Sequence, residues 1–140
     1  MSENEKGQGK IIMYQVLQAE LEELKRHALL VENRLLDIET TEHALNEVGR
    51  FKKDNETLVP LGSGCYAHGS ILGSGVLLDI GAGLMVTKNI NSAKSFLEDR
   101  KEEIEEARKK IHLQMNEVVK NINKIIPEIE KIVRESQKRG

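Results

Sequence analysis

From Tyr14 onward the apolar residues return in alternating steps of three and four: Tyr14, Leu17, Leu21, Leu24, Ala28, Val31, Leu35, Ile38, Glu42 and Leu45. Nine of these ten positions are apolar or aromatic, a regularity that ordinary amphipathic helices do not need and coiled coils do. The pattern predicts a helix over residues 10–49, on the order of 58 Å long at the usual rise per residue. Glu42 is the one polar residue in this seam, and it reads either as a carboxylate reaching solvent or as a pairing signal. A second seam runs Ala93, Leu97, Arg100, Ile104, Ala107, Ile111 and resumes as Met115, Val118, Ile122, Ile125, Ile129, Ile132. Its two successive steps of four around Ile111 are a stutter, which locally unwinds a supercoil. This predicts a second helix over 91–138, started by Asn89 or Asn91 as cap and kinked or loosened at Pro127, which lacks a backbone donor. Residues 1–9 are expected as a flexible tail.

Between the seams the period changes. Seven of the eleven glycines lie between Gly62 and Gly83, whereas Lys10–Val48 and Leu84–Arg139 have none. Glycine supplies the positive φ of tight turns, and the runs Thr57–Leu61, Cys65–Ile71, Val76–Ile80 and Leu84–Lys88 between those glycines read as four short strands in two hairpins. Pro60 cannot donate to a ladder, so its strand is expected to be paired on one side only. Val76, Leu78 and Ile80 share one face, as do Leu84 and Val86, with no further segment to cover them. A sheet this small with bare edges needs other subunits. The fold class is therefore α+β: a long antiparallel coiled-coil hairpin whose middle, residues 50–90, is an oligomerisation region.

The middle segment must leave and re-enter at one end of the helical pair, so partners on the two helices should sum to about 141, and Tyr14 falls near Pro127. The two chain ends then lie together. Ile11, Ile12, Met13 and Val16 on one helix, with Ile125, Ile126, Ile129, Ile132 and Val133 on the other, carry more apolar surface than a two-helix seam covers, because neighbours on a helix diverge by about 100°. Contiguous exposed apolar surface of this kind marks a binding site. Leu29, Leu30 and Leu36, in mid-arm, are read as packing.

Composition narrows the chemistry. The aromatics are Tyr14, Tyr66, Phe51 and Phe96 alone, and 31% of residues are charged, as suits thin helices with a solvated face. A formal charge of −2 and a terminal Lys138-Arg139 give no field for nucleic acid. No apolar run reaches the roughly 18 residues of a membrane span, and Met1–Lys10 is polar, unlike a secretory signal. Cys65 is the sole cysteine, compatible with a reducing cytoplasm. The glycines are followed by no GK[ST] and lack dinucleotide-fingerprint spacing. Cys65 and His68, three apart in a strand, face opposite ways and make a poor metal pair. His27, His43 and His112 are scattered. No nucleophile, base and orienting group converge, so neither catalytic residue, metal nor cofactor is expected.

The stretches Glu56-Thr57-Leu58-Val59-Pro60-Leu61-Gly62-Ser63-Gly64 and Asp79-Ile80-Gly81-Ala82-Gly83-Leu84-Met85-Val86-Thr87-Lys88, set between two coiled-coil helices, resemble the alpha class of prefoldin, the hexameric co-chaperone of archaea and eukaryotes. The resemblance implies two alpha subunits and four beta subunits joined by their hairpins into a β-barrel platform from which six coiled coils hang. It implies that unfolded chains are held between the tips without ATP and passed to a group II chaperonin. Carried over by position, Leu58, Val59, Leu61, Val76, Leu77, Leu78, Ile80, Leu84 and Val86 are platform residues. The Ile11–Val16 and Ile125–Val133 groups become client contacts. Four strands match the alpha class, since beta subunits carry one hairpin. Between Gly69 and Gly75 the chain departs from the pattern, with Ser70-Ile71-Leu72-Gly73-Ser74 where charged residues are more familiar. Two other readings are a structural or filament-forming coiled-coil assembly whose tips dock one fixed partner, and an RNA-binding arm, which the scarce basic charge disfavours.

Overall fold

The computed structural model describes residues 3–51, 56–73 and 75–139. Two helices, α1 (Glu3–Arg50) and α2 (Ile90–Arg139), bracket four strands, β1 (Glu56–Gly62), β2 (Cys65–Ser70), β3 (Gly75–Asp79) and β4 (Met85–Asn89). The chain divides into two compact units, residues 35–103 and the pair of segments 1–34 and 104–140.

In the terminal unit, made by the second pair of segments, the three-and-four alternation is the buried stripe. Tyr14, Leu17, Leu21, Leu24, Ala28 and Val31 on α1 are each less exposed than their neighbours, as are Ile111, Met115, Val118, Ile125, Ile129 and Ile132 on α2, with Ile122 half-buried among them. The helices run antiparallel, with Lys10 bonded to Glu128 at 2.5 Å and Arg108 to Glu32 at 3.3 Å. These partners lie within a few residues of the expected register.

Three expectations need correction. Helix α1 begins at Glu3, so residues 3–9 are not a flexible tail; Met1 and Ser2 lie outside the described residues. The stripe continues at its own period through Lys10 to Gly7, and Gly7 is buried. A Cβ built there would stand 3.1 Å from Ile132 Cγ2, so glycine gives Ile132 a few tenths of an ångström more room at this point, against a propensity cost of about 1 kcal/mol relative to alanine. On α2, Ala107 is exposed and Arg108 half-buried. Arg108 takes the seam position while its guanidinium reaches Glu32, which moves the paired steps of four to Arg100–Ile104–Arg108. Pro127 neither ends nor interrupts α2; it is exposed, so the missing donor falls on the outer side of the helix.

In the central unit, Leu35, Ile38, Leu45, Ala93 and Leu97 are buried. Glu42 is half-buried, and its Oε1 has no hydrogen-bond partner among the described residues. Strand β4 passes into α2 without a loop, and Asn89 is the cap, its Oδ1 accepting from the Ser92 amide at 2.7 Å. The strands form two separate two-stranded antiparallel sheets, β1–β2 and β3–β4, as the glycine spacing predicts, and Pro60 sits opposite Tyr66 in a strand paired on one side only. Leu61 drops out of register as a bulge. Both hairpins turn through a G-x-G with three consecutive positive φ values: 113°, 50° and 79° at Gly62, Ser63 and Gly64, and 120°, 52° and 75° at Gly81, Ala82 and Gly83. Left-handed φ at both central residues is what a type I′ turn demands and matches the twist of the strands. Asp79 Oδ1 fastens the second turn by accepting from the Gly81 amide at 2.9 Å.

Candidate functional site

The central unit exposes its apolar residues on both sheets. Leu58, Val59, Leu61, Leu77, Ile80 and Leu84 are exposed, and Val76, Leu78 and Val86 half-buried. On β3–β4, Leu78 stands opposite Val86, and the Ile80 amide bonds the Leu84 carbonyl at 3.0 Å. Val76, Leu78, Ile80, Leu84 and Val86 thus form one apolar face, with Leu77 on the other beside Thr87. Two exposed apolar residues of this unit escaped the sequence reading, Tyr66 and Leu72, as did Leu113 and Val119 in the terminal unit. Tyr66 was recoverable, because its pairing with Pro60 puts it on the face of Leu58. The His68 ring meets Glu56 at 3.2 Å on that same face, giving β1–β2 a polar margin.

The terminal unit sorts the other set of residues by burial. Ile11, Ile12, Met13, Val16 and Val133 are exposed. Ile126, Ile129 and Ile132 are half-buried. Ile125 is 5% exposed and belongs to the core, a correction to its reading as a client contact. It continues the inward stripe Val118, Ile122, and of the doublet Ile125–Ile126 only one member can point inward. Leu29 and Leu30, read as packing, are 62% and 57% exposed, because two helices offer no third surface to cover them; Leu36 in the central unit is exposed as well. Between the helix ends lies a groove of about 290 Å³ with Ile11, Ile129, Ile132 and Val133 among its walls and Gly7 alongside. The sequence reading missed Gly7, since a glycine in a helix reads as a break. Its signal was its place three residues before Lys10 in the three-and-four stripe.

Polar chemistry is sparse. The ion pairs are exposed and mostly within one helix, such as Arg26–Glu23 at 3.0 Å, and pairs of this kind contribute little. Among the described residues no three His, Cys, Asp or Glu side chains gather as a metal site, and no helix is long and apolar enough to cross a membrane. What the surfaces offer is apolar area presented by two units of one chain.

Comparison with known families and structures decides which kind of protein this is. A profile of the prefoldin family, described as a prefoldin subunit, matches residues 17–135. The chain belongs to the prefoldin family. Its relatives include prefoldin subunit alpha of Thermofilum pendens, 33% identical over 92 residues that cover 65% of this chain and 71% of that protein. Prefoldin subunit alpha of Pyrococcus horikoshii is 31% identical over 106 residues, covering 74% of this chain and 72% of its own length. Among solved structures, the cryo-EM structure of filamentous prefoldin from Methanocaldococcus jannaschii superposes with a TM-score of 0.71 over 86% of this chain and 98% of that one. At 16% identity, that likeness speaks for the fold alone. The chain is thus a prefoldin chaperone subunit of the alpha class, and such subunits work in complexes with other prefoldin subunits. The expectation drawn from Glu56–Gly64 and Asp79–Lys88 agrees with these relatives.

Proposed function

We propose that this subunit is part of an ATP-independent holdase in which the hairpins assemble and the terminal turns capture unfolded polypeptide. Two alpha subunits would join four beta subunits in a β-barrel platform through the Val76, Leu78, Ile80, Leu84 and Val86 face and its counterpart around Leu58, Val59 and Leu61. Client chains would bind at Ile11, Ile12, Met13, Val16, Ile126, Ile129, Ile132 and Val133, and pass in the cytoplasm to a group II chaperonin. The supporting observation is the exposure of two apolar surfaces in two different units of the chain. A two-stranded sheet is marginal in water, so the first surface calls for partners. The second is built of Ile, Met and Val, which read shape and area rather than sequence and suit a promiscuous binder.

Energetics favour many arms over one. Burying a side chain such as Ile12 contributes at most about 1.5–3 kcal/mol, far too little for capture by a single arm once association costs are met. Several arms on one platform make later contacts intramolecular and raise avidity by orders of magnitude. The experiment mixes the assembled protein with a chemically unfolded test enzyme in the absence of ATP. Light scattering should stay low, and activity should return only when a group II chaperonin with ATP is added. Unsuppressed aggregation refutes the holdase reading, and filaments without capture would point to a structural assembly.

A further inference from the structure

The buried stripe of α1 keeps one alternation of three and four from Tyr14 to Leu45, whereas that of α2 breaks step at Arg100–Ile104–Arg108. A helix with an unbroken heptad period packs best on another of the same period, and a stutter unwinds the coil where it falls. By period alone, the best partner of α1 is a second α1. Two members of the stripe, Lys10 and Glu42, carry charge. Lys10 is answered within the chain by Glu128. Glu42 lies between buried Ile38 and Leu45, and among the described residues nothing donates a hydrogen bond to its enclosed Oε1.

The central unit shows what surrounds that carboxylate. The β-carbon position of Gly49 lies 3.8 Å from Ile90 Cδ1, a register that sets Glu42 level with Leu97 and Arg100. Leu97 is buried. Arg100 and Lys101 are half-buried cations within a turn of this layer, and the Arg100 guanidinium rests 4.7 Å from the centre of the Phe96 ring. An enclosed carboxylate oxygen without a donor weakens the seam that holds it, and an aliphatic side chain of similar size would strengthen it. The charge therefore does not serve the cohesion of the arm. It does bear on which helix α1 accepts. Arms that leave one platform together run parallel, and two parallel α1 helices in register close Glu42 on Glu42 and Lys10 on Lys10. Like charges shut in a seam repel with nothing to offset them. In the chain's own antiparallel pair Glu42 has two cations beside it, and Lys10 has Glu128.

We propose that Glu42 keeps α1 on the α2 of its own chain by excluding a parallel pairing with the α1 of a neighbouring copy, at some expense to the stability of the arm. This rests on the shared platform proposed above and adds to it the residue that keeps its arms separate. Lys10 acts in the same sense at the other end of the stripe.

The test uses the full chain, alone and assembled with cysteine-free beta-type partners, on a Cys65→Ser background with Ala28→Cys as reporter. Ala28 holds the same heptad place as Glu42, two heptads earlier, and meets its own copy only when two α1 helices pair in parallel and in register. Mild oxidation should link few chains while Glu42 is present. Glu42→Leu should raise the disulfide-linked fraction at least about fivefold and, measured on the reduced protein, should raise the melting temperature of the helices by several degrees. Glu42→Lys keeps a like charge for a parallel pair and should leave the linked fraction low. A Glu42→Leu variant that melts higher but links no more chains overturns the proposal, because the carboxylate is then merely tolerated. One that melts lower overturns it as well, because Glu42 then stabilises its own arm. Equal linking in Glu42→Lys and Glu42→Leu shows that charge is not what excludes the second α1. Native mass spectrometry of the same samples separates the two layers of the argument. Chains with Glu42 in place that stay single with beta-type partners present remove the platform and this proposal together, whereas an intact assembly with unchanged linking removes this proposal alone.

Discussion

Ile12 and Ile125 share the client-contact reading of the sequence and differ in the structure, and that difference can be measured. Ile12 is 59% exposed and Ile125 is 5% exposed. Truncating Ile125 to alanine removes a buried side chain from the seam of the terminal unit, which costs about 2–4 kcal/mol and should lower the melting temperature of the helices by several degrees. Ile12→Ser removes mostly water-facing area, so the change in stability should stay within about 0.5 kcal/mol. On a client the ranking reverses. Ile12 can still bury more than half of its side chain, about 1 kcal/mol, or roughly a fivefold weakening for each arm that engages. The assay pairs thermal unfolding followed by helix ellipticity with suppression of aggregation of an unfolded enzyme. A loss of stability in Ile12→Ser as large as that in Ile125→Ala would refute the burial argument. Unchanged protection by the double variant Ile12→Ser, Met13→Ser would refute the contact assignment.

Other outcomes follow from single contacts. Asn89→Ala removes the acceptor of the Ser92 amide and should destabilise the start of α2 by about 1 kcal/mol, read by thermal unfolding of the assembled protein. Ala82→Asn places a residue that tolerates left-handed φ where alanine now sits at 52°, and should stabilise the assembled protein by up to about 1 kcal/mol. Val76→Asp with Leu78→Asp puts charge on the apolar face of β3–β4, and light scattering should find unassembled chains that keep their helical content. Gly9→Ala, with open space around its β-carbon, should stabilise α1 by about 0.5–1 kcal/mol without altering capture.

The parts of the fold that were legible in the sequence are those set by local period. The α1 stripe from Tyr14 to Leu45 is found as read, because every residue in it but Glu42 is apolar and the step never changes. The two hairpins were legible because G-x-G at Gly62–Gly64 and Gly81–Gly83 permits positive φ that few other sequences allow. The misplaced features depend on what a residue meets across the seam. Gly7 reads as a helix breaker until Ile132 is seen against it, and Arg108 reads as surface until it is found half-buried and paired with Glu32. Ala107 looked like the seam residue because it is apolar, but a charged residue with a long apolar stem took that place. For the candidate site, the sequence could say which residues exceed the seam, such as the doublets Ile11–Ile12 and Ile125–Ile126. The seam spacing already put Ile125 rather than Ile126 inward, but only the burial in the structure shows that Ile125 is closed to a client while Ile129 and Ile132 stay half-buried. The exposure of Leu29 and Leu30 likewise depends on there being two helices rather than three, a matter of assembly rather than of period.

The central claim is a division of labour, with assembly in the central unit and capture in the terminal one. Removing residues 1–16 and 125–140 from the assembled protein tests it most directly, with subunit count by native mass spectrometry and aggregation of an unfolded enzyme measured on the same sample. The account predicts an unchanged number of subunits and no protection. Protection that survives the truncation, or a complex that falls apart because of it, would contradict the account.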